Sequence, residues 1–249
     1  MRPRSNSLFH FTNNETFLFD IFKSGFWPRY CLEDIEWQGF PKFEFVAFPM
    51  VCFCDIPLSR ITEHTELYGS YGIGLTKEWA ERNSLNPVIY ISPNSGLSES
   101  ILANMNFAAQ SCENIEENET NNQLDESRFL VAHIKPTHGK MLKEGKPFER
   151  DFYQESEWRY VPRNNQILTH LTHEEFKDTD SIDISNYKSK KYCSLKITPN
   201  DVAYIFVPTD SDIPKIISFI RAELGDYSNN DLMVLYSRIV SIEKLNGDM

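Results

Sequence analysis

Apolar residues in this chain fall mostly into short runs with the two-residue period of β-strands, and few stretches carry a helical period. The most apolar run, FVAFPMVCFC at residues 45–54, predicts a buried strand with Pro49 at its edge or at a bulge. SLFHFT at residues 7–12 predicts a short strand, and Asn13, Asn14 and Glu15 then predict the start of an amphipathic helix that ends at Gly25. IPKIISFIRAEL at residues 213–224 predicts a second amphipathic helix.

The rest of the chain continues this pattern of many short strands and few helices. Thr76 is a suitable N-cap for a helix over KEWAERNS. FYQESEWRYVP at residues 152–162 predicts a strand, HGKMLKEGKPFERD at 138–151 a basic loop, and residues 164–190 are polar and irregular. Further strands are predicted at YGIGL, VIYIS, FLVAHIKP, YCSLKIT and DVAYIFVP. Because no regular βαβ repeat appears, the pattern predicts an α+β fold with mixed or antiparallel sheets.

The length of 249 residues permits one large domain or two small ones, and we expect a single domain over residues 1–249. Two segments of this domain are expected to be variable. An acidic, Asn-rich stretch around residues 111–127 predicts a mobile surface insertion between two helical segments. Residues 193–249 are expected to form a C-terminal extension that contains the second amphipathic helix.

Composition and charge exclude several classes of protein. Asp and Glu outnumber Lys and Arg by 36 to 25, so the net charge is −11, and binding to nucleic acid or anionic lipid would need a local basic patch. The sequence has no signal peptide, no apolar stretch long enough to span a membrane, and no strong metal-binding motif. We therefore expect a cytoplasmic protein without a metal and without membrane association.

Two polar groups on predicted strands are candidates for ligand binding. His10 alternates with Phe9 and Phe11, so its imidazole faces away from the two rings. Tyr68 and Tyr71 flank glycines in YGSYGIGL, where the backbone can approach a ligand and a phenol ring can stack on a flat group. Taken one at a time, each of these residues also suits a purely structural role.

A third candidate is the charged face of QESEWRYVP. On a strand, Glu155, Glu157 and Arg159 share one face and the aromatic residues share the other. Such a charged face is costly in a dry interior but acceptable in a polar cleft. The alternative is an edge strand with a solvated, ion-paired face.

The three candidates together suit cleavage of an N-glycosidic bond. This reaction passes through an oxocarbenium-like transition state, which a carboxylate beside the ribose stabilises. An aromatic ring can sandwich the leaving base, and a histidine can hold the second ribose. A second carboxylate two residues away can deprotonate the acceptor.

Four segments, LFHFT, PMVCFCDIPLS, YGSYGIGLTKEWA and ESEWRYVP, closely resemble the AbiGi-type abortive-infection proteins over roughly residues 7–162. Their order of His, Tyr and Glu also resembles the H-Y-E class of ADP-ribosyltransferases, which includes bacterial toxins. This second resemblance implies a split, twisted two-sheet core with flanking helices that binds NAD+ in a cleft. The serine motif usual in ExE toxins is not evident, so transfer to protein arginine is not implied.

The resemblance to the transferases also implies roles for single residues. Glu157 matches the catalytic glutamate, and Glu155 matches the residue on the acceptor side. His10 matches the histidine that holds the adenine-side ribose, and either Tyr68 or Tyr71 matches the tyrosine that stacks on nicotinamide. The remaining residues expected to contact NAD+ are Phe11, Thr12 and Arg159.

The resemblance leaves three functions open. The first is a growth-arresting mono-ADP-ribosyltransferase that modifies a macromolecule such as mRNA, partnered by an antitoxin or chaperone. The second is a non-catalytic antitoxin or sensor, and the third is an NAD glycohydrolase. A nucleic-acid acceptor is suggested by YKSKKY, where Lys188, Lys190 and Lys191 lie between tyrosines, although a solvated basic turn explains this segment equally well.

Overall fold

The computed structural model describes residues 5–38, 44–112, 117–143 and 146–248. Within these ranges strands and helices are mixed along the chain, so the predicted α+β class is confirmed, but the ten α-helices exceed the few that were expected. The strands are β1 (Ser7–Thr12), β2 (Arg29–Asp34), β3 (Phe45–Cys54), β4 (Tyr71–Thr76), β5 (Asn86–Pro87), β6 (Ile89–Ile91), β7 (Ile134–Pro136), β8 (His138–Lys143), β9 (Lys146–Asp151), β10 (Glu157–Tyr160), β11 (Leu171–Thr172), β12 (Val202–Val207) and β13 (Ile239–Ser241). The helices are α1 (Glu15–Ser24), α2 (Ile61–Tyr68), α3 (Lys77–Arg82), α4 (Gly96–Cys112), α5 (Glu117–Val131), α6 (His173–Lys177), α7 (Thr179–Cys193), α8 (Ile213–Glu223), α9 (Asn229–Tyr236) and α10 (Ile242–Asp248).

The chain forms two compact units, each assembled from segments that are far apart in sequence. The first unit comprises residues 1–26, 52–85 and 194–249. The second comprises residues 27–51 and 86–193. Because the units alternate along the chain, no linker or change in composition marks them, and the prediction of a single domain over residues 1–249 stays a prediction.

The first unit contains a sheet in which β4 lies between β1 and β12. The β1–β4 pair is antiparallel from Ser7 opposite Thr76 to Thr12 opposite Tyr71. Strand β12 is antiparallel to β4 and parallel to β13. Helix α1 begins at the predicted position, where the Asn14 side chain accepts a hydrogen bond from the backbone N–H of Thr16.

One face of this sheet carries an aromatic cluster. Phe9, Phe11 and Phe206 are buried together, with the Phe206 ring centroid 5.6 Å from that of Phe9 and 5.3 Å from that of Phe11. Glycines make room for these rings, because a Cβ at Gly72 would lie 2.5 Å from the Phe11 ring. The predicted helix over residues 213–224 is also confirmed as α8, which buries Ile216 and Ile220.

The second unit contains short paired strands and three of the longer helices. Strand β2 is antiparallel to β3 from Arg29 opposite Met50 to Asp34 opposite Phe45, and β11 also pairs with β3. Strand β10 is antiparallel to β5, and β6 is parallel to β7. Strands β8 and β9 are antiparallel to each other.

The acidic insertion differs from its prediction. Residues 111–127 were expected to form a mobile loop, but residues 117–127 belong to helix α5, and residues 113–116 lie outside the described part of the chain. Helix α5 continues to Val131, so only the end of the predicted strand FLVAHIKP becomes β7. An ion pair between Asp125 and Arg128, three residues apart on the helix, supports α5 where the sequence lacks a strong apolar period.

Three further element predictions are wrong. In the basic loop predicted over residues 138–151, residues 138–143 and 146–151 are the paired strands β8 and β9, because charged residues are tolerated on edge strands. The irregular region over residues 164–190 contains helix α7, whose buried residues are the small Ser185, Ser189 and Cys193 and therefore give no apolar period. In the predicted strand YCSLKIT, only Leu195 makes an isolated β-bridge.

Candidate functional site

The segment that carries the two candidate catalytic glutamates is not one continuous strand. Residues Phe152–Glu155 form a 3₁₀ turn, and Ser156 follows in the left-handed conformation with φ of 44°. Strand β10 then begins at Glu157. The prediction that residues 152–162 form a single strand is therefore wrong, and Glu155 reaches the site from a turn. The predicted shared face of Glu157 and Arg159 is confirmed, and both side chains are buried.

Arg159 is 0 % exposed, and all of its donor groups face protein acceptors. Its Nε donates to Oε1 of Glu157 at 2.7 Å, and its Nη2 donates to Oε2 of Glu33 at 2.9 Å. Its Nη1 donates to the carbonyl oxygen of Ala132 at 2.7 Å. These charge-assisted hydrogen bonds compensate for burial of the guanidinium.

Lys135, on strand β7, links the two glutamates of the ExE motif. Its Nζ lies 2.8 Å from Oε2 of Glu157 and 3.5 Å from Oε2 of Glu155. Burial on its own lowers the pKa of Lys135, but the carboxylates of Glu157, Glu33 and Glu155 outweigh burial and raise this pKa above its usual value. Lys135 is therefore a permanent cation at neutral pH.

The contacts around Arg159 and Lys135 join into an ionic network of three carboxylates and three cations. Arg150 completes it, with Nε 3.3 Å from Oε1 of Glu155. The six formal charges cancel, which reduces the cost of burying the central members Glu155, Glu157 and Arg159. The ionic network consists of Glu33, Lys135, Arg150, Glu155, Glu157 and Arg159.

Tyr90 holds the backbone of this site. Its hydroxyl oxygen accepts a hydrogen bond from the backbone N–H of Glu157 at 2.8 Å. Burial raises the pKa of Tyr90 well above the usual tyrosine value, so the phenol stays protonated. The start of β10 is thus fixed by a neutral group, and the glutamate side chain is fixed by two cations.

A cavity of about 370 Å³ opens beside the network in the second unit. This volume lies in the range of small-molecule sites, about 300–1,000 Å³. Lys135 and Glu33 bring the network to its wall, and aromatic rings form part of the apolar lining. Its aromatic and histidine lining residues are Trp37, Phe45, His138, Phe152 and Phe176.

His10, in the first unit, is held among aromatic rings. Its Nδ1 donates to the carbonyl oxygen of Cys52 at 2.9 Å, because a carbonyl oxygen can only accept. The imidazole lies edge-on to Phe26, with ring centroids 5.2 Å apart, and also contacts Phe53. It faces away from Phe9 and Phe11, as the alternation predicts.

The other expected NAD+-binding residues of the first unit have different environments. Phe11 is buried in the aromatic cluster, so its ring is committed to the core. Tyr68 packs against the same cluster, and its ring is tilted by 35° relative to that of His64, with the centroids 4.5 Å apart. Tyr71 is paired with Thr12 at the end of the β1–β4 ladder, and both side chains are half-buried. Burial, together with nearby carboxylates, raises the pKa of Tyr71.

The structure therefore places the predicted site residues in two groups. His10, Thr12, Tyr68 and Tyr71 lie in the first unit, and the glutamates with Arg159 lie in the second. Within the second unit the structure does bring Glu155, Glu157 and Arg159 together. Convergence of the two groups on one NAD+ cleft stays a prediction.

The basic segment YKSKKY is helical and not a turn. Lys188, Lys190 and Lys191 are exposed on the last turns of α7, with Tyr187 and Tyr192 exposed beside them. Nothing in these positions contradicts the nucleic-acid prediction, which stays a prediction.

Sequence reasoning missed three members of the ionic network: Glu33, Lys135 and Arg150. Glu33 and Arg150 lie on strands that were read as an irregular segment and a basic loop. Of the three, only Lys135 could have been noticed in the sequence. It is the single lysine in the largely apolar run FLVAHIKP, and a buried lysine needs an anionic partner.

The described residues contain neither a metal-binding group of side chains nor a membrane-spanning helix. Among these residues, no three His, Cys, Asp or Glu side chains are grouped so that they could hold a metal ion. No helix in the described ranges is both long and apolar enough to cross a membrane. The expected absence of a metal stays a prediction.

Comparison with known proteins identifies the family. Residues 24–208 match the family described as "Putative abortive phage resistance protein AbiGi, antitoxin". The chain is also 31 % identical, over 248 residues, to the abortive phage resistance protein AbiGi of Lactococcus lactis subsp. cremoris, covering 90 % of this chain and 99 % of that protein. No solved structure matches the chain significantly. The chain therefore belongs to the AbiGi family of abortive phage resistance proteins.

Proposed function

We propose that this chain is the antitoxin component of an abortive phage resistance system and that it acts by binding a toxin protein. The description of the family as an antitoxin supports this role. The observation that carries the proposal is the pairing of Glu157, which is 5 % exposed and held by both Lys135 and Arg159. The two cations compensate for the burial of this carboxylate, so its presence in the interior does not need a substrate to explain it.

The charge of the chain suits such a partner. A net charge of −11 favours association with a basic protein and speeds the encounter at low salt. A partner that acts on nucleic acid carries a basic surface, because it must neutralise phosphate charges. An acidic antitoxin can cover such a surface.

Expression of the chain alone and together with the protein encoded beside it tests the proposal. The chain alone should leave growth unchanged, and it should restore growth when the neighbouring protein is toxic. Glu157→Gln should keep this protection if the variant stays folded, since binding a toxin requires no chemical reaction at this carboxylate. Growth arrest by the chain alone that Glu157→Gln abolishes would contradict the antitoxin role.

The second candidate is ADP-ribosyl transfer from NAD+, on an ADP-ribosyltransferase-like fold. The observation that favours it is the meeting of Glu155 and Glu157 at Lys135, which also lines the cavity with aromatic walls. In this reaction the bond between nicotinamide and ribose C1′ breaks, and C1′ bonds to the acceptor. Glu157 would stabilise the oxocarbenium-like transition state, and Glu155 would take the acceptor proton.

Transfer of label from radiolabelled NAD+ to cellular macromolecules tests the second candidate. Glu157→Gln should abolish transfer while circular dichroism stays unchanged, and the exposed Glu126→Gln is the matched control. A loss of cellular NAD+ without labelled macromolecules would indicate hydrolysis instead of transfer. Transfer that survives in Glu157→Gln would reject the catalytic assignment.

A further inference from the structure

The C-terminal half of α7 presents a surface of cations and aromatic rings. Its inner side is made of small buried residues, and Oγ of Ser189 donates to the carbonyl oxygen of Pro28 at 2.6 Å. The Asn186 side chain accepts a hydrogen bond from the backbone N–H of Tyr30 at 3.1 Å, which connects the helix to β2. This close packing leaves the long side chains of the same turns outside, where Tyr187 is 67 % and Tyr192 is 42 % exposed.

Trp27 extends this surface from the helix to the residues before β2. The guanidinium carbon of Arg29 lies 4.5 Å from the centroid of the indole, and Nζ of Lys190 lies 5.7 Å from it. Both distances are in the range of cation–π interactions, within about 6 Å. Trp27, Arg29 and Lys190 form what we call the indole platform.

Helix electrostatics explain only part of this arrangement. Lysines are favoured at the C-terminus of a helix because of the helix dipole. The dipole does not account for Arg29, which lies on a strand, or for the exposed ring of Tyr187. Residues 184–193 contain three lysines and no acid, although the chain has a net charge of −11. This local excess of positive charge beside flat rings suits a ligand that is anionic and also has flat faces.

We propose that the indole platform, together with Tyr187, binds single-stranded nucleic acid. Unpaired bases stack on the indole and phenol rings, and Arg29 and Lys190 contact the phosphates. Because every base has a π-face, such binding tolerates sequence changes and depends strongly on salt. The proposal is independent of the antitoxin role and of ADP-ribosyl transfer, since it uses no residue of the ionic network.

Fluorescence anisotropy with the full-length chain tests the proposal. The probes are labelled oligo(U) and oligo(dT) of about 12 nucleotides, within the usual site sizes, and a duplex of equal length. We expect the single strands to bind more tightly than the duplex and the affinity to fall as salt rises. The two single-stranded probes distinguish a preference for RNA from a preference for DNA.

Four substitutions locate the surface. Trp27→Ala should weaken binding about 5- to 100-fold, as expected for loss of one stacked base, and Trp27→Phe should retain most of the affinity. Lys190→Glu should weaken binding about 10-fold and reduce the salt dependence. Lys188→Glu is the matched control, because two residues along a helix differ by about 200° around its axis. It makes the same charge change on the other side of α7 and should have a smaller effect.

Lys244→Glu, on the exposed surface of α10, controls for net charge alone. Three outcomes would overturn the proposal. One is absence of oligonucleotide binding by the unchanged chain at low salt, and another is equal binding by Trp27→Ala and the unchanged chain. The third is that the platform variants lose binding to an acidic protein partner but keep binding to every oligonucleotide. That outcome would make this surface a protein interface.

Discussion

The aromatic cluster of the first unit and the centre of the ionic network in the second are both buried, but different interactions compensate for their burial. In the aromatic cluster, Phe9, Phe11 and Phe206 exclude water and contact each other edge-on or tilted. In the ionic network, Arg159 is equally buried but is stabilised by carboxylates and a carbonyl oxygen. Every apolar group that the cluster buries adds to the stability of the fold, whereas the ion pairs of the network only offset the free energy cost of burying its charges.

This difference determines how each region responds to substitution. An apolar cluster loses stability in proportion to the volume removed, and smaller apolar residues are partly tolerated. A buried charge network fails when one member is lost, because the remaining charges are left without partners in a region of low dielectric. Substitutions in each region therefore test this contrast.

The largest effect is expected from Arg159→Met. Removing this cation leaves the buried carboxylate of Glu157 with one partner fewer and leaves the carbonyl of Ala132 without its donor. We expect the free energy of unfolding to fall by about 3–5 kcal/mol, measured by urea denaturation. Arg163→Met is the control, because the ion pair of Arg163 with Glu126 is exposed and should contribute less than about 1 kcal/mol. Equal losses in the two variants would contradict the network.

A second substitution should partly rescue Arg159→Met. Glu157→Gln in that background removes the uncompensated charge, and we expect it to recover about 1–3 kcal/mol of the lost stability. In the unchanged chain, Glu157→Gln should instead be destabilising because it weakens the pairs with Arg159 and Lys135. A double-mutant cycle measures this coupling, and strictly additive effects would show that the two side chains act independently.

Phe206→Leu in the aromatic cluster should have a smaller effect than loss of the buried arginine. The replacement stays apolar and loses only ring contacts and some volume, so we expect a loss of about 1–2 kcal/mol. Urea denaturation under the same conditions compares it directly with Arg159→Met. A loss larger than that of Arg159→Met would reverse the ranking of the two regions.

The smallest effect is expected from pH. Burial lowers the pKa of His133 and of His170, both in the second unit, so the unfolded chain binds more protons than the folded chain near the usual histidine pKa of about 6.5. Stability should therefore fall as the pH decreases through this value, while the phenylalanines of the aromatic cluster do not titrate. Thermal unfolding between about pH 7.5 and pH 5.5 measures this slope, and His133→Gln should make it shallower. An unchanged slope in His133→Gln would show that this histidine does not contribute to the pH dependence of stability.

The aromatic cluster shows how much of the fold the sequence predicts. The alternation in SLFHFT predicted β1, its two buried rings and the opposite orientation of His10, because a strand places successive side chains on opposite faces. The strong apolar period of residues 213–224 predicted α8, and Asn14 and Thr76 predicted where two helices begin. In these segments the local pattern and the tertiary packing agree.

Helices α5 and α7 show where this reasoning fails. Both are polar along most of their length, and α7 buries small residues that carry no apolar signal. Their helical conformation depends on what they pack against, such as the contact of Ser189 with Pro28 far away in the chain. A method that reads only local periodicity assigns such segments to loops.

The sequence by itself determined that Glu157 and Arg159 share one face, because this follows from the two-residue period of a strand. Only the tertiary structure decided that this face is buried and neutralised, since Glu33, Lys135 and Ala132 reach Arg159 or Glu157 from other strands and from the end of a helix. The physical reason is that a charge is stabilised by whatever lies within a few ångströms of it, whereas sequence patterns record only its neighbours along the chain.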